Sequence, residues 1–180
     1  ASIGTDIDIA REYTEKIVKG FPERKALLVV KLSPNVDNIA VIAKAVIDAG
    51  ADGIAAINTV GPKLYIENDS GMPILNNRLG GKGGASGEWI KERARKAVRE
   101  IRQAIGDEPI ILGMGGVSDE KDAFALLDAG ADSVGIGSAL SRVESSKWQE
   151  YLNAIKENCD ARRFFSKGNK LEYTPRNVLS

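Results

Sequence analysis

The chain has 180 residues, 43% of them hydrophobic, enough to bury the core of one domain or of a piece of a larger one. Lysine plus arginine equals aspartate plus glutamate at 25 each, so no overall field draws the protein to nucleic acid or to an anionic membrane, and any anionic ligand must be met locally. A single cysteine, Cys159, excludes an internal disulfide framework, and the lack of histidine removes the commonest metal ligand and general base, so a metal site and a Ser-His-Asp triad are not expected.

No apolar run approaches the ~20 residues of a bilayer-spanning helix, and Ala1 to Asp8 lack the basic and then apolar pattern of a signal peptide, so a cytoplasmic protein is expected. The first predicted strand is Ala26 to Leu32, a nearly continuous apolar run of the kind found in strands buried on both faces, with Lys31 near its end. Pro34-Asn35 breaks it and Asp37 can cap a helix whose apolar stripe is Ile39, Ile42, Ala43, Val46 and Ile47, stopped by Gly50. Gly53 to Thr59 reads as a second strand, and Gly61 to Gly87 as a long polar, glycine-rich loop, a length that points to function.

Glu88 to Ile105 carries Ile90, Ala94, Ala97, Val98, Ile101 and Ile105 at helical spacing, with Ser86 as its expected cap. A third strand follows over Pro109 to Gly113, and Ser118 opens the next helix, with Asp119 and Glu120 suiting the dipole of its first turn. The fourth strand is Ser133 to Gly137. One more helix spans about Ser146 to Glu157, followed by a polar tail with Arg162, Arg163, Lys167 and Lys170.

Ile47-Asp48-Ala49-Gly50-Ala51-Asp52-Gly53-Ile54 is echoed by Leu127-Asp128-Ala129-Gly130-Ala131-Asp132-Ser133-Val134, each copy a helix end, a glycine turn and a strand start. The spacing of the copies fits two units of a (β/α)8 barrel of about 250 residues. Alternating strands and helices mean an α/β fold with a parallel sheet. Four strands could form a small open sheet, but a run whose last two loops are glycine-rich is better explained as the carboxy-terminal half of a (β/α)8 (TIM) barrel: about four βα units, strands 5 to 8, over residues 1–140, with a C-terminal helix and tail over 141–180 packing on it.

Gly113-Met114-Gly115-Gly116-Val117 and Gly135-Ile136-Gly137-Ser138-Ala139-Leu140 place residues without Cβ where a strand hands over to a helix, so backbone N–H groups can approach an anion. In (β/α)8 barrels the loops after strands 7 and 8 frequently hold a phosphate, which predicts a phosphorylated ligand; serving tight turns alone is the other reading of these glycines. Lys31, at the carboxyl end of a strand, either reaches water along its stem or meets a ligand such as a reduced flavin, whose N1/O2 edge gains negative charge. Asn58 and Thr59 offer donors and acceptors that suit a planar ring of alternating N–H and C=O groups, although a strand-end asparagine is often a turn residue.

Together these stretches resemble dihydroorotate dehydrogenase, especially its class 1 enzymes. The resemblance runs through Val30-Lys31-Leu32-Ser33-Pro34-Asn35, Ala49 to Gly53, Ile57-Asn58-Thr59-Val60-Gly61-Pro62, Pro73-Ile74-Leu75, Gly83-Gly84-Ala85-Ser86-Gly87, Gly113 to Val117 with Asp122-Ala123, and Gly135 to Ala139. Two departures are Ser138 in place of the usual threonine and extra glycine in Gly80 to Gly84. The resemblance implies FMN as cofactor and oxidation of dihydroorotate to orotate in pyrimidine biosynthesis. It implies that Lys31 faces the flavin N1/O2 edge, that Asn58 and Thr59 hold the substrate ring, that Ser86 and Gly87 line the flavin pocket, and that Gly115, Gly116, Gly137 and Ser138 cradle the FMN phosphate.

The family's first four strands and its Cys or Ser base have no counterpart in these 180 residues, and Cys159 does not match that base. Expected partners are therefore dihydroorotate and orotate, the amino-terminal half of the barrel as a separate chain or missing segment, and a further copy of the chain in a homo-oligomer. The alternatives are a related FMN barrel, such as the flavin domain of dihydropyrimidine dehydrogenase, and a non-catalytic phosphate-binding half-barrel.

Overall fold

A computed structural model describes residues 3–166. Ala1 and Ser2, and the tail lysines Lys167 and Lys170, lie outside the described residues. A helix the sequence reading passed over comes first: α1, Ile7–Gly20, opened by Asp6, whose carboxylate accepts the Asp8 and Ile9 N–H groups at 3.1 Å each. It is amphipathic, with Ile7, Ala10, Tyr13, Ile17 and Val18 at helical spacing, and Ala10 and Thr14 are its buried residues.

Four parallel strands form the main sheet: β1 (Val29–Lys31), β2 (Gly53–Ala56), β5 (Ile110–Met114) and β6 (Ser133–Gly135), in the order β1-β2-β5-β6. Helices α2 (Ile39–Asp48), α3 (Lys91–Ile105) and α4 (Glu120–Asp128) connect them, as alternating βα units require. Val46, Ile54, Val98, Ile101 and Ile111 are completely buried where these helices meet the sheet. The loop expected over residues 61–87 contains instead an antiparallel hairpin of β3 (Val60–Leu64) and β4 (Lys82–Ala85). Its glycines hid it, because Gly83 and Gly84 read as loop yet are needed there: a Cβ would fall 2.3 Å from a Leu75 methyl at the first and 2.2 Å from the Thr59 hydroxyl at the second.

The expectation that the first strand is buried on both faces fails. β1 is short and lies at the sheet edge, with Val29 and Lys31 exposed and Val30 half-buried. Burial alternates along β5 in the same sense, Ile111 and Gly113 being buried while Ile110, Leu112 and Met114 are only partly covered. Paired positions of neighbouring strands share a face, so Lys31, Leu112 and Ser133 fall in one row of the less covered side and Val30, Ile54 and Ile111 in one row of the helix side. Parallel sheets ordinarily have both faces covered; among the described residues this one has helices packed closely on one.

Two helix starts lie one residue from those expected, since Asn38 rather than Asp37 caps α2 and Asp119 rather than Ser118 caps α4. Ser86 makes no capping hydrogen bond, and a 3-10 turn over Gly87–Ile90 precedes α3. The last helix, α5 (Trp148–Ser166), runs through Arg162 and Arg163 rather than ending near Glu157. It packs on α4, with Ile155 buried and Cys159 also buried, its thiol 3.6 Å from the Glu120 carbonyl oxygen. Among the described residues no helix is long and apolar enough to cross a membrane.

The sequence echo proves to be one device built twice. Gly50 and Gly130 close α2 and α4 at φ of 98° and 110°. The Asp52 carboxylate accepts the Leu28 N–H at 2.7 Å and an Arg24 donor at 3.0 Å, while Arg24 also donates to the Gly50 carbonyl. In the second copy the Asp132 carboxylate accepts the Ile111 N–H at 2.8 Å and an Arg102 donor at 2.6 Å, while Arg102 also donates to the Gly130 carbonyl. Each aspartate thus ties the turn to the preceding neighbour strand. Burial alone pushes the Asp52 carboxyl up, but the Leu28 N–H and Arg24 outweigh it and hold the group below the usual carboxylate range.

Asp52→Asn and Asp132→Asn are each expected to lower stability by about 1–2 kcal/mol in denaturant titrations. Because the folded-state value of Asp52 is lowered, its contribution is complete above the unfolded value of about 3.9 and fades as pH falls through the folded one. Asp52→Asn should therefore flatten the loss of stability below about pH 4; an unchanged acid limb would show that the carboxylate does not hold the turn.

Candidate functional site

Backbone pairing carries the chain past the labelled strand ends to one rim of the sheet. The Leu32 N–H donates to Ala55 O at 2.9 Å, Asn58 to Leu32 O at 3.0 Å and Ile57 to Met114 O at 2.8 Å. These bonds set the carboxyl ends of β1, β2 and β5 side by side, and β6 joins them through the Met114–Gly135 pair. A cavity of about 220 Å3 opens there, lined by Lys31, Ile57, Asn58, Thr59, Ser86, Gly87, Ile90, Met114, Gly115, Gly116, Val117, Gly135, Ile136, Gly137 and Ser138. Every residue expected at the site from the sequence lies on its wall.

The glycines are required for identifiable reasons. Gly115 and Gly116 have φ of 128° and 81°, a region other residues rarely adopt. A Cβ on Gly116 would also fall 2.4 Å from the Lys91 side chain and 2.7 Å from Gly87 O, so β5's loop lies directly against the start of the 3-10 turn. Gly137 differs: a Cβ there meets nothing within 4 Å, leaving open space before the 3-10 turn Ser138–Arg142. Among the described residues the Gly116, Ser138 and Ala139 N–H groups donate to no protein acceptor. Such a cradle of free N–H groups and absent side chains fits an anion of phosphate size.

At the other end Lys31 is exposed and, among the described residues, has no ion-pair partner, so its ammonium is available to a ligand. The Asn58 carboxamide oxygen accepts the Thr59 N–H at 2.9 Å, which fixes the side chain and leaves its NH2 as the free donor. A residue the sequence reading did not single out organises this corner. Asn35 donates to Thr59 O at 3.1 Å and to the Ser33 hydroxyl at 3.1 Å, and accepts the Gly61 N–H at 2.9 Å. Its position straight after the Ser33-Pro34 break was the available signal.

The floor of the glycine loop is held by charge. Lys91 lies 2.9 Å from the Asp122 carboxylate, which also accepts the Ser118 N–H at 3.0 Å and hydroxyl at 2.8 Å. Hydrogen bonding to Asp122 raises Lys91 above its ordinary value. Burial pushes Asp122 up, and the Lys91 and Ser118 bonds more than offset that, leaving it below the usual range. The Tyr151 hydroxyl donates to Ser118 O, joining α5 to the same loop; burial, with Asp119 and Asp122 nearby, raises the phenol.

A parallel α/β sheet whose strand ends and glycine turns line one cavity defines a ligand-binding α/β protein with its site at the carboxyl edge. The family model described as dihydroorotate dehydrogenase matches residues 1–158, and the chain belongs to that family. Among its relatives are three proteins named dihydroorotate dehydrogenase B (NAD(+)), catalytic subunit. That of Fusobacterium nucleatum subsp. nucleatum is 44% identical over 138 residues, covering 76% of this chain. Those of Oceanobacillus iheyensis and Methanopyrus kandleri are 42% identical over 137 residues and 37% over 141, covering 76% and 77% of it. The chain spans 42% of the length of each of these relatives.

Gly116→Ala is expected to destabilise the fold by about 1–3 kcal/mol, since it combines positive φ with two close contacts. Gly137→Ala should unfold within about 1 kcal/mol of the parent, because its methyl enters open space. Thermal unfolding of both variants checks this, and equal losses would mean that the two loops are not shaped as described.

Proposed function

We propose that the chain is the carboxy-terminal half of an FMN-binding (β/α)8 barrel, strands 5 to 8, and that with the other half it oxidises dihydroorotate to orotate in pyrimidine biosynthesis. The observation that carries this reading is the single cavity that gathers Lys31, Asn58, Thr59, Ser86, Gly87, Gly115, Gly116, Gly137 and Ser138 at the carboxyl ends of four parallel strands. Two further observations support it: the sheet has unpaired strand edges at β1 and β6, and one of its faces is only partly covered, as befits part of a closed barrel. Residues 1–140 form the barrel portion, and the segment from 141 onward packs on it through α5. The relatives' name, a catalytic subunit, accords with an enzyme that works in a larger assembly.

FMN, when bound, supplies the chemistry by accepting the hydride that dihydroorotate loses. Gly115, Gly116, Gly137 and Ser138 would hold its phosphate, with Gly116 and Ser138 offering free N–H groups, and Ser86 and Gly87 would line its pocket. The Lys31 ammonium would face the N1/O2 edge of the bound flavin and offset negative charge there. The Asn58 amide and the Thr59 hydroxyl orient the substrate ring, and Asn35 keeps Thr59 in place from below. The proton acceptor belongs to the accompanying half: Cys159 is buried against α4 and does not line the cavity.

The intact protein is expected to be yellow and to oxidise dihydroorotate. Lys31→Ala should lose turnover by about 100-fold or more, the size of a lost charge-stabilising contact, with its unfolding midpoint unchanged. A colourless protein that leaves dihydroorotate untouched would end this reading.

A further inference from the structure

The glycine cradle supplies hydrogen bonds but no full positive charge, and a phosphate monoester is close to a dianion at neutral pH. A second cavity of about 310 Å3 adjoins the first across Ser86, Gly87, Gly116, Val117 and Ser138. Its charged lining residues are Glu88 and Arg142. Arg142 ends the 3-10 turn that begins at Ser138 and, among the described residues, its guanidinium has no hydrogen-bond or ion-pair partner. The neighbouring cation, Lys91, is committed to Asp122 at 2.9 Å, and Glu88 adds its field to the same ammonium. Lys31 lines only the first cavity and Arg142 only the second.

We infer that Arg142 is the cation that meets the phosphate of the bound flavin and makes the site select a phosphorylated flavin over its unphosphorylated form. This rests on the flavin reading above. No motif marks the residue: it lies beyond the last strand, in a serine-rich stretch that reads as a connector. The fold brings it into play, because the 3-10 turn Ser138–Arg142 carries it onto the lining of the cavity that Gly116 also lines. A guanidinium suits the task, since its forked donors match two phosphate oxygens and it stays charged at any working pH. Glu88 shares that wall and opposes the effect, so the two residues should act with opposite sign.

The test is fluorescence titration of the intact protein, freed of flavin, with FMN and with riboflavin, at low and at high salt. The parent should bind FMN more tightly than riboflavin, with FMN affinity falling as salt rises. Arg142→Gln should weaken FMN by about tenfold or more, leave riboflavin unchanged and reduce the salt dependence; Arg142→Lys should recover part of the loss, and Glu88→Gln should tighten FMN alone. Equal weakening of both flavins, or no weakening of FMN, in an Arg142→Gln protein whose parent prefers FMN would overturn this inference and leave the flavin reading standing. A parent that does not prefer FMN to riboflavin would overturn both.

Discussion

Four parallel strands in register oblige the chain to leave the sheet four times at the same edge, and the cavity is built on that edge. Parallel pairing fixes strand direction, so each exit is a βα turn, and each turn presents N–H groups and short side chains to the same volume. Lys31 is the last residue of β1, Asn58 and Thr59 follow β2, Gly115 and Gly116 follow β5, and Gly137 and Ser138 follow β6. Residues far apart in sequence become one wall because the ladder leaves them nowhere else to go.

The edge has to be held at a fixed height, and the protein does so from both ends of the strands. At the amino ends, the paired Asp52–Arg24 and Asp132–Arg102 locks tie each glycine turn to a neighbouring strand. At the carboxyl ends, Lys91 and Asp122 support the glycine loop while Asn35 joins the loops after β1 and β2. Among the described residues the Lys31 ammonium on the first cavity and the Arg142 guanidinium on the adjoining one are left without an ion-pair partner.

The parts of this arrangement legible in the sequence were those with a period or a repeat. The apolar stripes of α2 and α3 and the buried run Gly53–Ala56 announced themselves, and the echo of residues 47–54 in 127–134 marked both glycine turns, though not the aspartate locks within them. The residues that line the cavity were legible through motif order, because glycine-rich turns follow two successive strands. What stayed hidden depends on tertiary contact. The hairpin of β3 and β4 is glycine-rich because it packs tightly, against Leu75 and Thr59, and glycine reads locally as loop. The burial of β1 was overestimated because apolarity cannot distinguish a central strand from an edge one. Arg24, Arg102, Asn35 and Lys91 carry no signature of their own; each matters through a partner more than twenty residues away.

The central claim is that the rim formed by the loops after β5 and β6 is where a flavin phosphate binds. Amide hydrogen exchange of the intact protein with and without FMN tests it most directly. The account requires added protection at Gly115 to Ser118 and at Gly137 to Leu140, with none at the α2–α3 surface around Val36 and Ala97. Protection confined to other segments, or none on adding FMN, would contradict it.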